Sequence, residues 1–166
     1  MTLTIRRFPD PLIKQPTHAV PRIDEAVQRF IEEMVRTMRS HARCVGLAAP
    51  QVGSHLRIAV MDGTGHPNVT AGHGLLVLVN PMIESAEGTV IGREGCLSVP
   101  DFTANVRRAT RVRLRALDQS GALRTITLDG FEAIIAQHEL DHLNGTLFLD
   151  RVANLKTDVF RRKTYL

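Results

Sequence analysis

The chain has 166 residues and a mass of 18.4 kDa, with 43% hydrophobic and 23% charged residues, a balance that argues against disorder, collagen-like repeats and membrane insertion. Its net charge of +4 and pI of about 9.7 allow transient contact with a polyanion such as a ribosome, although a solvated basic surface is the plainer expectation. Only Cys44 and Cys96 are present, too few for a disulfide framework, and no apolar run approaches a leader or a membrane span, so a cytoplasmic setting is expected.

Residues 1–21 carry Pro9, Pro11, Pro16 and Pro21. Each fixes its own φ and disfavours helix at the residue before it, so an extended, wrapped arm is expected. Ile23, Ala26, Val27, Phe30, Ile31, Met34, Val35 and Met38 then recur at three- and four-residue steps, and Asp24 and Glu25 fall in a first turn where the dipole favours acids. The spacing predicts an amphipathic helix over 22–41, its methionines packed in the core. Short apolar strands are expected at 56–61 and 75–79, separated by the loop GTGHPNVTAGHG, whose His66 and His73 read as solvent-exposed.

From 106 to 117 the alternation of Val112 and Leu114 with Arg111, Arg113 and Arg115 predicts a half-buried strand. Its arginines lack the interleaved aromatics that stack bases, so a solvated face is expected rather than a nucleic-acid surface. Another strand is expected at 125–128. The stretch FEAIIAQHELDHL that follows places Ala133, Ile134, Ile135, Ala136, Leu140 and Leu143 around most of a helix, which a helix shows when it is buried. With no repeat, low-complexity tract or linker, residues 1–166 read as a single domain.

Inside that helix lies His138-Glu139-Leu140-Asp141-His142, the HExxH spacing. Side chains four residues apart stack on one helical face, so both imidazoles can reach one ion, with Glu139 beside the open position. Burying two histidines and two acids among apolar residues would cost several kcal/mol unless they were paired or metal-bound. A catalytic site of this kind needs a third protein ligand. No Glu follows Glu139 and no His follows His142; Asp150 and Asp158 are weak candidates, whereas Cys96 offers a soft thiolate upstream between Gly95 and the Pro100 turn. A third segment, Gly46-Leu47-Ala48-Ala49-Pro50-Gln51-Val52-Gly53, combines small residues that admit close approach with an amide donor, Gln51.

GLAAPQVG at 46–53, EGCLSVP at 94–100 and QHELDH at 137–142 together resemble the three signature motifs of the peptide deformylase family, in order and separation, over nearly the whole chain. The resemblance implies an α+β fold, with mixed and antiparallel strands wrapped around a central buried HExxH helix and an N-terminal amphipathic helix. It implies a hydrolase of protein biosynthesis that removes the formyl group from N-terminal formyl-methionine on nascent chains and releases formate. By the same resemblance Cys96, His138 and His142 hold one divalent ion, Fe²⁺ first, with Ni²⁺, Co²⁺ or Zn²⁺ able to substitute. Glu139 is the general acid/base, and Gln51 with the backbone N–H of Leu97 forms the oxyanion hole. Val45, Gly46 and Gly95 bind the peptide as an added strand, Val45, Phe131, Ile134 and Ile135 line the methionine pocket, and Glu94 lies near its rim.

Two positions depart from the family pattern. Cys44 stands where a glycine usually opens the first motif, a strain of order 1–2 kcal/mol if the position needs a positive φ, and it invites oxidative pairing with Cys96. Thr103 stands where several members place a larger Arg or Tyr beside the cleft. The chain ends at Leu166, so a ribosome-docking C-terminal helix from Phe160 onward would be short.

Overall fold

The computed structural model describes residues 1–163. It is an α+β arrangement of antiparallel sheets and two α-helices. The arm expected at the N-terminus is extended apart from one 3₁₀ turn at Pro11–Lys14. It wraps rather than trails: Arg6 N–H donates to Gln51 O at 2.7 Å, Phe8 N–H to Ser98 O at 2.8 Å and His18 N–H to His55 O at 2.7 Å. Ile13 is fully buried.

Helix α1 spans Glu25–Ser40, shorter than the periodicity suggested because Asp24 is its N-cap, its side chain accepting from Val27 N–H, rather than a first-turn residue. Ile31, Met34 and Met38 face a core shared with Leu47, Ile58, Val60 and Val79. Strands β1 (Gly46–Ala48), β2 (Ile58–Asp62), β3 (Leu75–Glu87), β6 (Arg111–Leu117) and β7 (Leu123–Asp129) form one five-stranded sheet in the order β1-β2-β3-β6-β7. Strands β4 (Val90–Cys96), β5 (Val99–Arg108) and β8 (Val159–Arg161) form a second, ordered β4-β5-β8. All neighbouring pairs are antiparallel.

The single strand expected at 106–117 is two strands in different sheets, since β5 ends at Arg108 and β6 begins at Arg111. Alternation runs through the corner because both strands bury one face; only the change of partner marks the break. β3 extends well past position 79 because its outer half pairs with β6, and its exposed Glu84 is met by Arg113 and Arg115 at 3.3 and 3.6 Å.

Helix α2 spans Gly130–Leu143. Ala133, Ile135, Ala136 and Leu140 pack on Met61, Leu78, Val112, Leu114 and Leu128 of the five-stranded sheet. Phe148 and Leu147, just beyond the helix, join Cys96, Val99, Ala104 and Val106 in the core of the second sheet. Among the described residues no helix is long and apolar enough to cross a membrane. Residues 164–166, the end of the short C-terminal segment considered for ribosome docking, lie outside the described residues; Val159–Arg161 is strand.

Candidate metal centre and catalytic cleft

The two sheets meet around α2, and their edge strands β1 and β4 face a cleft of about 260 Å³. Cys96 and His138 line its floor, and with the buried His142 they form a cluster whose donor atoms lie within 4.8 Å of one another. Helical spacing supplies the two imidazoles, with ring centroids 5.0 Å apart. The sulfur comes from the last residue of β4, where the register against β5 shifts between Glu94 and Cys96, as such irregularities do beside active sites. Cys96 Sγ is 3.3 Å from His142 Nε2.

The surroundings are built to hold charge. Burial opposes ionisation of Cys96, yet the adjacent His142 and His138 outweigh it and hold the thiol well below its ordinary value. His138 is raised well above its ordinary value; burial opposes this, and hydrogen bonds with Cys96 and Glu94 prevail. His138 Nδ1 is 2.8 Å from Glu94 Oε1, which fixes the ring and turns Nε2 toward the sulfur. Glu94 in turn accepts from Arg108 Nε and Nη2, both at 2.9 Å, and Arg108 Nη1 donates to Asp141 at 2.6 Å. Asp141 also accepts from Arg151 at 2.6 and 3.0 Å. Of the two buried acids of α2 that look costly in the sequence, Asp141 is thus partnered, bonded to two arginines.

Glu139 is only 4% exposed, and desolvation raises its carboxyl to about 7. Its Oε2 is buried without a hydrogen-bond partner among the described residues, and an isolated buried acceptor costs about 1–3 kcal/mol. A compact Cys/His/His donor set favouring thiolate, beside a buried carboxylate with a free oxygen, fits a divalent ion with an acidic water. Asp150 is engaged by Lys14 and by Leu147 N–H, which removes it as a rival ligand.

Gln51 lies in the 3₁₀ turn Ala49–Val52 and is 2% exposed. Its Oε1 accepts from Ala48 N–H at 2.9 Å, which orients the amide so that Nε2 faces Cys96 Sγ and Ser98 Oγ, each at 3.3 Å. Leu97 lines the same cleft from the turn between β4 and β5, as do Val45, Gly46, Glu94 and Gly95. Phe131, Ile134 and Ile135 line it from α2. Glu94 lines the cleft, with both oxygens bonded to Arg108 and His138.

Gly46 is required by its neighbour: a Cβ there would sit 2.8 Å from Glu139 Cδ and 3.0 Å from Cγ. The strain considered for Cys44 falls one residue earlier, on Arg43, whose φ is +62°; Cys44 is not among the residues with positive φ. Burial, with the charge of Glu139, pushes the Cys44 thiol up to about 12, and its Sγ donates to Gly46 O at 3.2 Å, so it is a poor nucleophile for exchange with Cys96.

Contacts of the loop histidines escaped the sequence reading. His66 lines the cleft and stacks on Phe131 with centroids 4.0 Å apart; His73 is solvent-exposed as expected, but its N–H and Nδ1 bond the buried Glu132 carboxylate at 3.1 Å, so the loop is pinned to the start of α2. Arg43, Arg93 and Arg162 also line the cleft. Arg108 did leave a signal, since it shares the inward parity of Ala104 and Val106 on β5.

The sequence profile of the polypeptide deformylase family matches residues 2–158. A peptide deformylase of Thermodesulfovibrio yellowstonii is 38% identical over 97% of this chain and 95% of its own. The crystal structure of a peptide deformylase from Legionella pneumophila superposes with a TM-score of 0.85 at 41% identity, covering 94% of this chain and 89% of that one. That of Synechococcus elongatus, solved in complex with actinonin, gives 0.84 at 39% identity over 93% and 80%.

Proposed function

We propose a mechanism from one premise: the chain belongs to the polypeptide deformylase family, metal-dependent enzymes that remove the N-formyl group from nascent peptides. Residues 1–166 act as one catalytic domain, with strands gathered about the HExxH helix. Cys96, His138 and His142 hold one divalent ion, Fe²⁺ by preference and Ni²⁺, Co²⁺ or Zn²⁺ as substitutes; the compact donor cluster carries this reading. When bound, the ion supplies an electrophile for the formyl oxygen and acidifies water toward a pKa of about 7. Glu94, held by Arg108, keeps the His138 ring in place.

The peptide enters as a strand between the free edges of β1 and β4, through the backbone of Val45, Gly46 and Gly95, and its methionine occupies the pocket of Val45, Phe131, Ile134 and Ile135. Glu139 takes a proton from the attacking water at a carboxylate oxygen. As the formyl carbon becomes tetrahedral, Gln51 Nε2 and the Leu97 N–H donate to its oxygen, each contributing about 3 kcal/mol when well placed. Glu139 then passes the proton to the departing amine nitrogen, and formate leaves. Closure of the cleft by β1, β4 and α2 limits competing water around these transfers.

A nascent-chain substrate supports a cytoplasmic setting for the enzyme. Its net charge of +4 supports transient contact with ribosomes through basic surface, with neither membrane nor sequence-specific nucleic acid as partner. The test is formate release from formyl-Met-Ala-Ser by protein purified without oxygen and loaded with Fe²⁺, Ni²⁺ or Zn²⁺ separately. Glu139→Ala should keep one ion per chain and lose turnover; a fully active variant would overturn the role of Glu139. Competition by actinonin, which the Synechococcus elongatus enzyme binds in its crystal, should track the loaded form.

A further inference from the structure

Three arginines, Arg43, Arg93 and Arg162, line the cleft that holds Cys96 and Glu139. The carboxylates there do not neutralise its mouth: Glu94 is 8% exposed and bonded to Arg108 and His138, and Glu139 lies on the floor. Arg93 is held at the wall, its Nε donating to Asn105 Oδ1 at 3.1 Å and its guanidinium 3.5 Å over the Phe160 ring.

Arg162 has the most specific placement. β8 pairs with β5 so that Thr103 faces Phe160, and Arg162 N–H donates to Asp101 O at 2.8 Å. From there the side chain crosses β5 and reaches β4. Its guanidinium occupies the space that a side chain at Gly95 would take: a Cβ built there overlaps Nη2, lies 3.3 Å from Cζ and 3.5 Å from Thr103 Cγ2. Two small residues therefore admit this arginine to the cleft: Gly95 has no side chain, and Thr103 is short enough to be crossed. Its Nε is buried without a hydrogen-bond partner among the described residues. A guanidinium with an unpartnered N–H beside an exposed strand edge is suited to a carboxylate arriving on the added strand.

We propose that Arg162 is a specificity-determining residue that selects formyl-methionyl peptides carrying a carboxylate in the residues after methionine. The inference rests on the deformylase reading and deepens it. The carboxylate has two possible sources, an Asp or Glu side chain and the free C-terminus of a short peptide. Both satisfy the same guanidinium.

The experiment compares kcat/KM for formyl-Met-Glu-Ser and formyl-Met-Gln-Ser, each as the free acid and as the C-terminal amide, with the metal-loaded enzyme and its R162Q and R162K variants. Wild type should favour carboxylate over carboxamide by about threefold to tenfold, chiefly through KM, and the ratio should shrink as salt rises. R162Q should bring the ratio close to one and R162K should retain part of it. A preference for Glu over Gln kept among the C-terminal amides assigns the carboxylate to the side chain; a preference for free acid over amide in the Gln peptide assigns it to the C-terminus. Equal ratios in wild type and R162Q overturn the inference, as does wild type with no preference in either series. Absence of formate from every peptide would instead overturn the deformylase reading, so the two failures are distinguishable.

Discussion

Replacing Gly46 by Ala tests how tightly the cleft holds Glu139, the proposed proton carrier. The added Cβ would lie 2.8 Å from Glu139 Cδ and 3.0 Å from Cγ, where ordinary contacts begin near 3.4 Å. The carboxylate must therefore retreat by about 1 Å, and at 4% exposure it has no solvent to swing into. A misplacement of that size costs roughly 100-fold in turnover. Overpacking adds a stability loss of about 1–3 kcal/mol, a few degrees of Tm in a chain of this length. The assay is kcat for formate release with metal content measured on the same sample, since the ligands are untouched and the ion should stay. Gly92→Ala is the control: it lies on β4, and a Cβ there meets nothing within 4 Å. Gly46→Ala with kcat within about threefold of wild type would refute the claim that Glu139 acts from the position observed.

Gln51→Glu replaces the donor facing Cys96 by an acceptor and should lower kcat by about 100- to 1,000-fold with KM less affected; unaltered kcat would remove Gln51 from the oxyanion hole. Arg108→Met takes the shared guanidinium from Glu94 and Asp141, both under a tenth exposed, leaving Glu94 with His138 and Asp141 with Arg151, and should cost about 3–5 kcal/mol, visible as a Tm drop on the order of 10 °C. The proposed mechanism requires ionised Glu139, so kcat/KM should fall as pH drops, with the midpoint at or below the value near 7 that burial gives the metal-free protein, because a bound cation lowers it further. Glu94 is lowered to about 2: burial opposes the shift, and the hydrogen bonds from His138 and Arg108 outweigh it. Because its folded pKa lies below the unfolded one, near 4.5, its stabilising contribution is complete above that value and is lost as pH falls toward 2. An acid-unfolding curve of Glu94→Gln should be flatter over that interval.

The α2 helix was legible because its signal is local: HExxH spacing and apolar residues on nearly every side both belong to one segment. The expected helix over 22–41 was nearly right, its start displaced by the cap at Asp24. The division of 106–117 between two sheets was not legible, since strand parity carries no record of which neighbour a strand pairs with. His66 and Arg162 were missed for a related reason. Nothing in GTGHPNVTAGHG says that the imidazole will find Phe131, sixty-five positions on, and nothing near Arg162 says that Gly95 has left room for it. Arg108 could have been found from its inward parity with Val106, but the neighbouring arginines of 107–115 mask it.

The register shift that carries Cys96 to the end of β4 has a mechanical side. The sulfur belongs to the second sheet, and the two imidazoles belong to a helix packed on the first. An ion held by all three is a tertiary cross-link: with Cys96 and His142 separated by 46 positions, tying them limits the unfolded chain much as a disulfide over that loop would, by about 4 kcal/mol. The cross-link would span the seam proposed for the peptide. On the proposed ligand set, the bonds that would activate the reaction would also fix the width of the cleft, and an ion of different size or lability would alter how firmly the two sheets are fastened as well as the chemistry at the formyl carbon.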